Sequence, residues 1–213
     1  MINAVFWDFG GVITTSPFEA FNKFEEENNL PLDFLRSVNT KNPDSNAWAL
    51  LERNEIDLNK FDSLFEHESK ELGNPVKGKE VIALLKGQIR PEMVNALNKI
   101  KGKYLQACLT NNIQSMGNLD LEGNVSASGK HEEIMNIFDF VFESSKENVR
   151  KPDPEFYLRA CERGNVNPEQ VVFLDDLGIN LKPAKALGMS TIKVTEPNAA
   201  LVELENLLEF KLT

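Results

Sequence analysis

The sequence predicts an α/β fold with a Rossmann-like parallel sheet, and two patterns support this prediction. From residue 91 onward, short apolar runs alternate with stretches of helical period, as in parallel strands joined by right-handed helical crossovers. Polar residues directly follow several of these runs, as expected where strands end at a binding crevice.

Five short apolar runs predict the strands. The first lies at residues 4–7 and stops at Asp8, where a Phe-Gly-Gly sequence predicts a tight turn. The others lie at residues 104–109, 140–142, 171–174 and 191–194. Helical patterns, most of which begin at proline or end at glycine, lie at residues 91–101, 132–137, 154–163, 181–187 and 199–208.

Residues 16–90 form a block of helical patterns without a convincing strand. Ser16 and Pro17 predict its first helix, because serine caps helices and proline suits the first helical position. A glutamate run at residues 25–27 predicts a solvated face of that helix. Further helices are predicted at residues 47–52, 61–72 and 79–86.

The length of the chain bears on its domain organisation. At roughly 100–200 residues per domain, 213 residues suit one domain with a large insertion or two small domains. We therefore expect a core of residues 1–15 and 91–213, with a helical domain of residues 16–90 inserted after the first strand.

Charge and apolar patterning argue against two classes of partner. The net charge is -10 and no basic run is present, which argues against nucleic-acid binding. No apolar stretch approaches the ~20 residues that cross a bilayer, and no signal-peptide pattern is visible. Cys108 and Cys161 are expected to be free thiols, as in a reducing compartment. We expect a soluble cytoplasmic protein.

Polar residues at the strand ends predict one shared site, because parallel strands meet at the same edge of a sheet. These residues are Asp8, Thr110, Asn111, Lys151, Asp175 and Asp176. A carboxylate such as Asp8 can attack phosphorus, and Asp175 can hold a bridging divalent cation. Lys151 can neutralise phosphate charge, while the Thr110 hydroxyl can donate to phosphate oxygens.

The same residues lie in segments that resemble the motifs of the haloacid dehalogenase superfamily. In chain order, the segments that resemble motifs I to IV are VFWDFGGV at 5–12, LTN at 109–111, RKPDP at 150–154 and VFLDD at 172–176. Residues 173–184 are especially similar to the subgroup with the N-terminal phosphatase domain of soluble epoxide hydrolase and bacterial sugar-phosphate phosphatases. The resemblance covers the whole chain and implies a C1-type helical cap at residues 16–90.

The resemblance also implies roles for individual residues. Asp8 would be the nucleophile that forms an aspartyl phosphate, and Lys151 would stabilise both this carboxylate and the phosphate. The phosphoryl group would be bound by Thr110, Asn111 and Lys151. Mg²⁺ would be held by Asp8, Asp175 and the main-chain carbonyl of Gly10, with Asp176 as a further ligand or as support for the ligands.

Gly10 departs from the usual pattern of the family. Most of its phosphatases have aspartate two residues after the nucleophile, where it acts as general acid and base. Glycine cannot transfer a proton, and such catalysis is typically worth about 10²–10⁴-fold. Some sugar-phosphate phosphatases that resemble this chain also carry glycine here, so the departure bears on the rate of turnover.

Three functions are compatible with this sequence. The first is a Mg²⁺-dependent phosphatase that acts on a small phosphorylated metabolite. The second is a weakly active or inactive protein that binds phosphate or a partner, and Gly10 motivates it. The third is a metal-free 2-haloacid dehalogenase, against which the paired carboxylates of Asp175 and Asp176 argue.

Residues outside the motifs support weaker expectations. Cap residues select the leaving group in this family, so Asn46, Trp48 and Arg53 are candidates for contact with the substrate. Arg150, beside the predicted catalytic lysine, is expected to face solvent. Neither the substrate nor the oligomeric state follows from the sequence.

Overall fold

A computed structural model describes residues 1–85, 87–111 and 132–212, and the side chain of Glu19 lies outside this description. The described strands form one five-stranded sheet in the order β3-β2-β1-β4-β5, and every pair is parallel. They are β1 (Ala4–Trp7), β2 (Leu105–Thr110), β3 (Phe140–Glu143), β4 (Val171–Asp175) and β5 (Ser190–Lys193). The predicted parallel α/β fold is confirmed.

The chain between β1 and β2 first forms helices that lie apart from the sheet. They are α1 (Pro17–Glu27), α2 (Phe34–Thr40), α3 (Ala47–Glu52), α4 (Leu58–Glu71) and α5 (Gly78–Ala83). Their buried apolar side chains, such as Phe21, Phe61 and Phe65, form a cluster that includes no strand residue. Residues 16–90 are called the helical segment below, and the other described residues the sheet part.

Further helices cover both faces of the sheet. They are α6 (Pro91–Ile100), α7 (Ser144–Glu147), α8 (Pro154–Gly164), α9 (Gly178–Ala186) and α10 (Pro197–Leu208). Because side chains alternate along a strand, Val5 and Trp7 of β1 pack with α6 and α10, while Ala4 and Phe6 pack with α8 and α9. Within the described ranges, no helix is long and apolar enough to cross a membrane.

The two connections between the helical segment and the sheet part run side by side. Thr14 and Ile89 form an antiparallel bridge. The Thr15 N–H donates to the Gln88 carbonyl at 2.8 Å, and the Gln88 N–H donates to Thr15 Oγ1 at 2.9 Å. The helical segment is therefore joined to the sheet part by two adjacent, hydrogen-bonded stretches of chain.

One expectation for α1 is wrong. Glu25 is only 1% exposed, and its carboxylate accepts hydrogen bonds from the N–H groups of Asp33 and Leu35, each at 2.8 Å. Only Glu26 and Glu27 of the glutamate run are exposed. The first N–H groups of α2 have no partner within their own helix, and a buried carboxylate satisfies them. The expectation of two free thiols is confirmed.

Candidate active site

The carboxyl ends of β1 and β4 bring three carboxylates together. Asp8 follows β1, and Asp175 ends the neighbouring strand β4. One carboxylate oxygen from each of Asp8, Asp175 and Asp176 lies within 4.8 Å of the others. Asp8 is 8% exposed and Asp175 is fully buried. The pairing of two adjacent strands thus concentrates negative charge in a site largely removed from water.

Lys151 lies between two of these carboxylates. Its side chain is 1% exposed, and Nζ lies 2.8 Å from Asp8 Oδ1 and 2.8 Å from Asp175 Oδ2. Burial by itself would lower the pKa of Lys151, but the charges of Asp175 and Asp8 raise it above its ordinary value. The ammonium group therefore stays protonated and holds Asp8 in place.

Burial, together with the excess of carboxylates over the one ammonium group, raises the pKa values of Asp8 and Asp176. Burial raises the pKa of Asp8 to about 8, with Lys151 opposing this shift and Asp175 adding to it. Burial and the charge of Asp175 raise the pKa of Asp176 to about 6. A hard divalent cation prefers such oxygen ligands and would neutralise the excess charge, so these residues fit a Mg²⁺ site.

The turn after Asp8 depends on one of its two glycines. The N–H of Phe9 donates to Asp8 Oδ1 at 2.7 Å. Gly11 has a φ of +79°, and a Cβ there would lie 2.3 Å from Asp176 Oδ2, so a side chain is excluded. Gly10 has a φ of -70° and a ψ of 129°, and a Cβ there would meet no atom of the described residues within 4 Å. Only Gly11 is required by the backbone and its surroundings.

Asn180, which was not predicted as a site residue, supports Asp175. Its Nδ2 lies 3.1 and 3.0 Å from the two carboxylate oxygens of Asp175. The Leu177 N–H donates to Asp175 Oδ1 at 2.8 Å, and the Tyr157 hydroxyl donates to the Asn180 carbonyl at 2.7 Å. Asn180 lies in the first turn of α9, which begins at Gly178, whereas the helix predicted from the sequence began only at residue 181.

Ser16 and Asp176 connect the start of the helical segment to the site. The Ser16 side chain makes no capping hydrogen bond to α1. Its Oγ instead donates to Asp176 Oδ2 at 3.2 Å. The predicted helix start is confirmed, but the serine side chain contacts the carboxylate cluster because the chain leaves the sheet directly beside it.

Thr110 ends β2, and Asn111, which directly follows it, contacts Lys151. The Asn111 Nδ2 donates to the Lys151 carbonyl at 3.0 Å, and its Oδ1 accepts from the Lys151 N–H at 2.9 Å. The side chain of Asn111 therefore fixes the main chain that carries the lysine. Thr110 is half-buried at the end of β2, between β1 and β3.

All three candidate residues in the helical segment contact other residues of that segment. Asn46 is 3% exposed and caps α3, since its Oδ1 accepts from the Ala49 N–H at 2.8 Å. Arg53 lies 2.6 Å from Glu55 Oε1. Trp48 packs against Phe61, with ring centroids 5.5 Å apart.

The expectation that Arg150 faces solvent is wrong. Its side chain is only 21% exposed, and Nη2 lies 2.9 Å from Glu52 Oε2 in the helical segment. Glu52 was not predicted as a functional residue, because a glutamate at a helix end gives no signal of a partner that lies almost 100 residues away in sequence.

Comparison with known proteins identifies the family. The family model of the haloacid dehalogenase-like hydrolases matches residues 2–188. The chain therefore belongs to the haloacid dehalogenase-like hydrolases, as its motifs and its parallel sheet with carboxylates at the strand ends indicate.

Relatives share sequence over nearly the whole chain. Mouse acyl-CoA dehydrogenase family member 10 is 34% identical over 98% of this chain and 19% of its own length. Bifunctional epoxide hydrolase 2 of Sus scrofa is 29% identical over 96% of this chain and 38% of its own length, so the chain spans less than half of either relative. Sesquiterpene phosphatase astK of Aspergillus oryzae is 27% identical over 96% of both chains.

One solved structure and one further relative extend the comparison. A haloacid dehalogenase family enzyme of Bacteroides thetaiotaomicron, in complex with magnesium and inorganic phosphate, has a TM-score of 0.61 and 22% identity over 91% of this chain and 94% of its own. At 22% identity, this similarity is evidence for a shared fold alone. (S)-2-haloacid dehalogenase 4A of Burkholderia cepacia is 28% identical over 49% of this chain and 42% of its own length.

Proposed function

We propose that this chain is a Mg²⁺-dependent phosphatase that hydrolyses a small phosphorylated metabolite through an aspartyl phosphate on Asp8. The contact of buried Lys151 with both Asp8 and Asp175, at 2.8 Å each, supports this proposal most directly. Such a site can neutralise a phosphate dianion beside a carboxylate nucleophile. The similarity to a sesquiterpene phosphatase also favours phosphate ester hydrolysis.

Asp8 is oriented for attack. The contacts of the Phe9 N–H and of Lys151 Nζ both fall on Asp8 Oδ1, so we assign the attack on phosphorus to Oδ2. A bond forms between Oδ2 and phosphorus while the bond from phosphorus to the leaving oxygen breaks. Lys151 and the Thr110 hydroxyl bind the phosphoryl oxygens, as does the main chain at Asn111. Water then hydrolyses the acyl phosphate, which releases phosphate and restores Asp8.

The carboxylates of Asp8 and Asp175 and the carbonyl of Gly10 would hold Mg²⁺, with Asp176 as a further ligand. When bound, the cation supplies positive charge that offsets the repulsion between Asp8 and the phosphate. We further propose that residues 16–90 form a cap over a core of residues 1–15 and 91–213, and that closure of the cap excludes bulk water.

The test is hydrolysis of p-nitrophenyl phosphate by the purified chain with Mg²⁺. We expect turnover that falls to the buffer level in Asp8→Asn and after removal of metal with EDTA. Asp44→Asn, which changes an exposed aspartate of the helical segment, is the matched control and should keep full activity. Equal activity of wild type and Asp8→Asn would refute the proposal.

A 2-haloacid dehalogenase is the second candidate, favoured by the similarity to the Burkholderia cepacia enzyme. Here Asp8 would attack carbon and displace chloride. Chloride release from 2-chloropropionate without added metal, together with no phosphate release, would favour this function. Binding of beryllium fluoride with Mg²⁺ but without either turnover would instead favour a phosphate-binding protein.

A further inference from the structure

A buried ion pair joins the helical segment to the sheet part. Glu52, the last residue of α3, is 6% exposed, and its Oε2 lies 2.9 Å from Nη2 of Arg150. Among the described residues, this is the only salt bridge between the two parts. The Oγ of buried Ser144, just after β3, donates to the Glu52 carbonyl at 2.9 Å. Both the carboxylate and the main chain of Glu52 thus contact the carboxyl end of the sheet.

Arg150 extends this contact to the active site. Its Nε donates to the Lys151 carbonyl at 3.2 Å, and that carbonyl also accepts from Asn111 Nδ2 at 3.0 Å. One guanidinium group therefore contacts Glu52 through one nitrogen and the main chain of Lys151 through another. The Lys151 side chain then contacts Asp8 and Asp175.

The environment of Glu52 makes this contact hard to replace. Burial raises the pKa of the Glu52 carboxyl, and the charge of Arg150 is the largest opposing influence. Within the described residues, Glu52 Oε2 has no hydrogen-bond partner, so its contact with Arg150 is an ion pair without hydrogen-bond geometry. Loss of Arg150 removes the largest influence that stabilises the buried Glu52 carboxylate, and this is unfavourable. The docked position of α3 and the orientation of Arg150 therefore depend on each other.

We propose that Glu52 and Arg150 are positioning residues, whose ion pair holds the cap on the active site and fixes the main chain of Lys151. The inference rests on the proposed function, in which Lys151 stabilises the transferred phosphoryl group. Glu52 acts through Arg150, and Arg150 acts through the Lys151 carbonyl. Misplacing a catalytic group by about 1 Å can cost roughly 10²-fold in rate, so a contact outside the reacting atoms can still control turnover.

A double-mutant cycle tests the pair with Glu52→Gln, Arg150→Gln and the double variant. We expect each single variant to lower kcat for p-nitrophenyl phosphate by roughly 10–100-fold with little change in KM, because the lysine acts in the transition state. The double variant should lose about as much as the worse single variant, since both changes break one contact. Circular dichroism would confirm equal folded fractions. The matched control Glu66→Gln breaks the exposed pair with Lys77 and should leave kcat unchanged.

Hydrogen exchange of the metal-free protein tests the pair without relying on turnover. We expect faster amide exchange in residues 47–52 for Glu52→Gln and Arg150→Gln, and unchanged exchange in residues 58–71. Strictly additive effects on kcat, or exchange in residues 47–52 equal to that of Glu66→Gln, would overturn the inference. A wild type without phosphatase activity would refute the proposed function instead, and the exchange data would still decide whether the pair holds the cap.

Discussion

At the scale of single residues, the two adjacent glycines after Asp8 differ in whether the fold permits a side chain there. Gly11 cannot carry a side chain, because its φ is +79° and Asp176 occupies the space of a Cβ. Gly10 has backbone angles open to any residue, and within the part of the chain that the structure describes no atom lies within 4 Å of the place of a Cβ. The absence of a general acid at position 10 is therefore a property of the sequence that the fold does not impose.

This contrast predicts that Gly10→Asp folds and gains activity. An aspartate would place a proton donor two residues after Asp8, and general acid catalysis is typically worth about 10²–10⁴-fold. We expect kcat for an alkyl phosphate, whose leaving group needs a proton, to rise by roughly 10-fold or more. The gain should be smaller for p-nitrophenyl phosphate, which has a good leaving group.

Gly10→Asn is the matched control for this prediction, because asparagine has nearly the same shape without a carboxyl proton. Both variants are assayed with the same alkyl phosphate at saturating Mg²⁺. If Gly10→Asp and Gly10→Asn had equal kcat values, general acid catalysis by this position would be excluded.

At the scale of elements, Glu25 illustrates how one helix depends on another. The carboxylate of this α1 residue accepts from two N–H groups at the start of α2, which has only seven residues. A helix this short is marginal alone, and its stability comes from tertiary contacts. The connection between α1 and α2 is therefore held by a buried acceptor that the local pattern of charge does not reveal.

We expect Glu25→Ala to lower the free energy of unfolding by roughly 2–4 kcal/mol, because two buried N–H groups lose a charged acceptor. Glu26→Ala, one residue along the same helix and exposed, should change it by no more than about 0.5 kcal/mol. Urea denaturation followed by tryptophan fluorescence measures both. Equal effects of the two changes would show that the Glu25 contacts do not stabilise the fold.

At the scale of the whole molecule, the carboxylate cluster costs stability when no cation is bound. The pKa of Asp176 is raised from 3.8 to about 6 by burial and by Asp175, and that of Asp8 is raised to about 8. A carboxyl whose pKa is higher in the folded state stabilises the fold when protonated. That contribution is present below the unfolded pKa and is lost as the pH rises through the folded value.

Asp176→Asn should therefore stabilise the metal-free protein at pH 8 by roughly 1–3 kcal/mol, and have a much smaller effect at pH 3.5. Lys151 does not reverse this trend, because its raised pKa keeps it charged over the whole range. Thermal unfolding in EDTA at both pH values gives the measurement. Added Mg²⁺ should reduce the advantage of the variant, and a variant less stable than wild type at pH 8 in EDTA would contradict this account.

Much of the fold followed from local patterns. The strand predicted at residues 171–174 is β4 (Val171–Asp175), and the helix predicted at residues 47–52 is α3 (Ala47–Glu52). In contrast, α2 was missed because its N-cap residue Asp33 makes no side-chain capping hydrogen bond, and the carboxylate of Glu25 in α1 accepts from the N–H groups at its start instead. The residues brought together around Lys151 were also predicted, since each directly follows a strand or lies in the loop after one.

The sequence by itself determined the parallel sheet, the helical segment and the identity of the carboxylates and the lysine at the strand ends. Apolar periodicity and residue type are local properties, and they suffice for these conclusions. Only the tertiary structure decided which side chains contact one another. The pair of Glu52 and Arg150, the support of Asp175 by Asn180 and the burial of Glu25 depend on how elements distant in the chain pack. Asp8 was predicted from its position after a strand and its association with Lys151 from the family resemblance, whereas the placement of Lys151 at 2.8 Å from both Asp8 and Asp175 is set by the folded sheet.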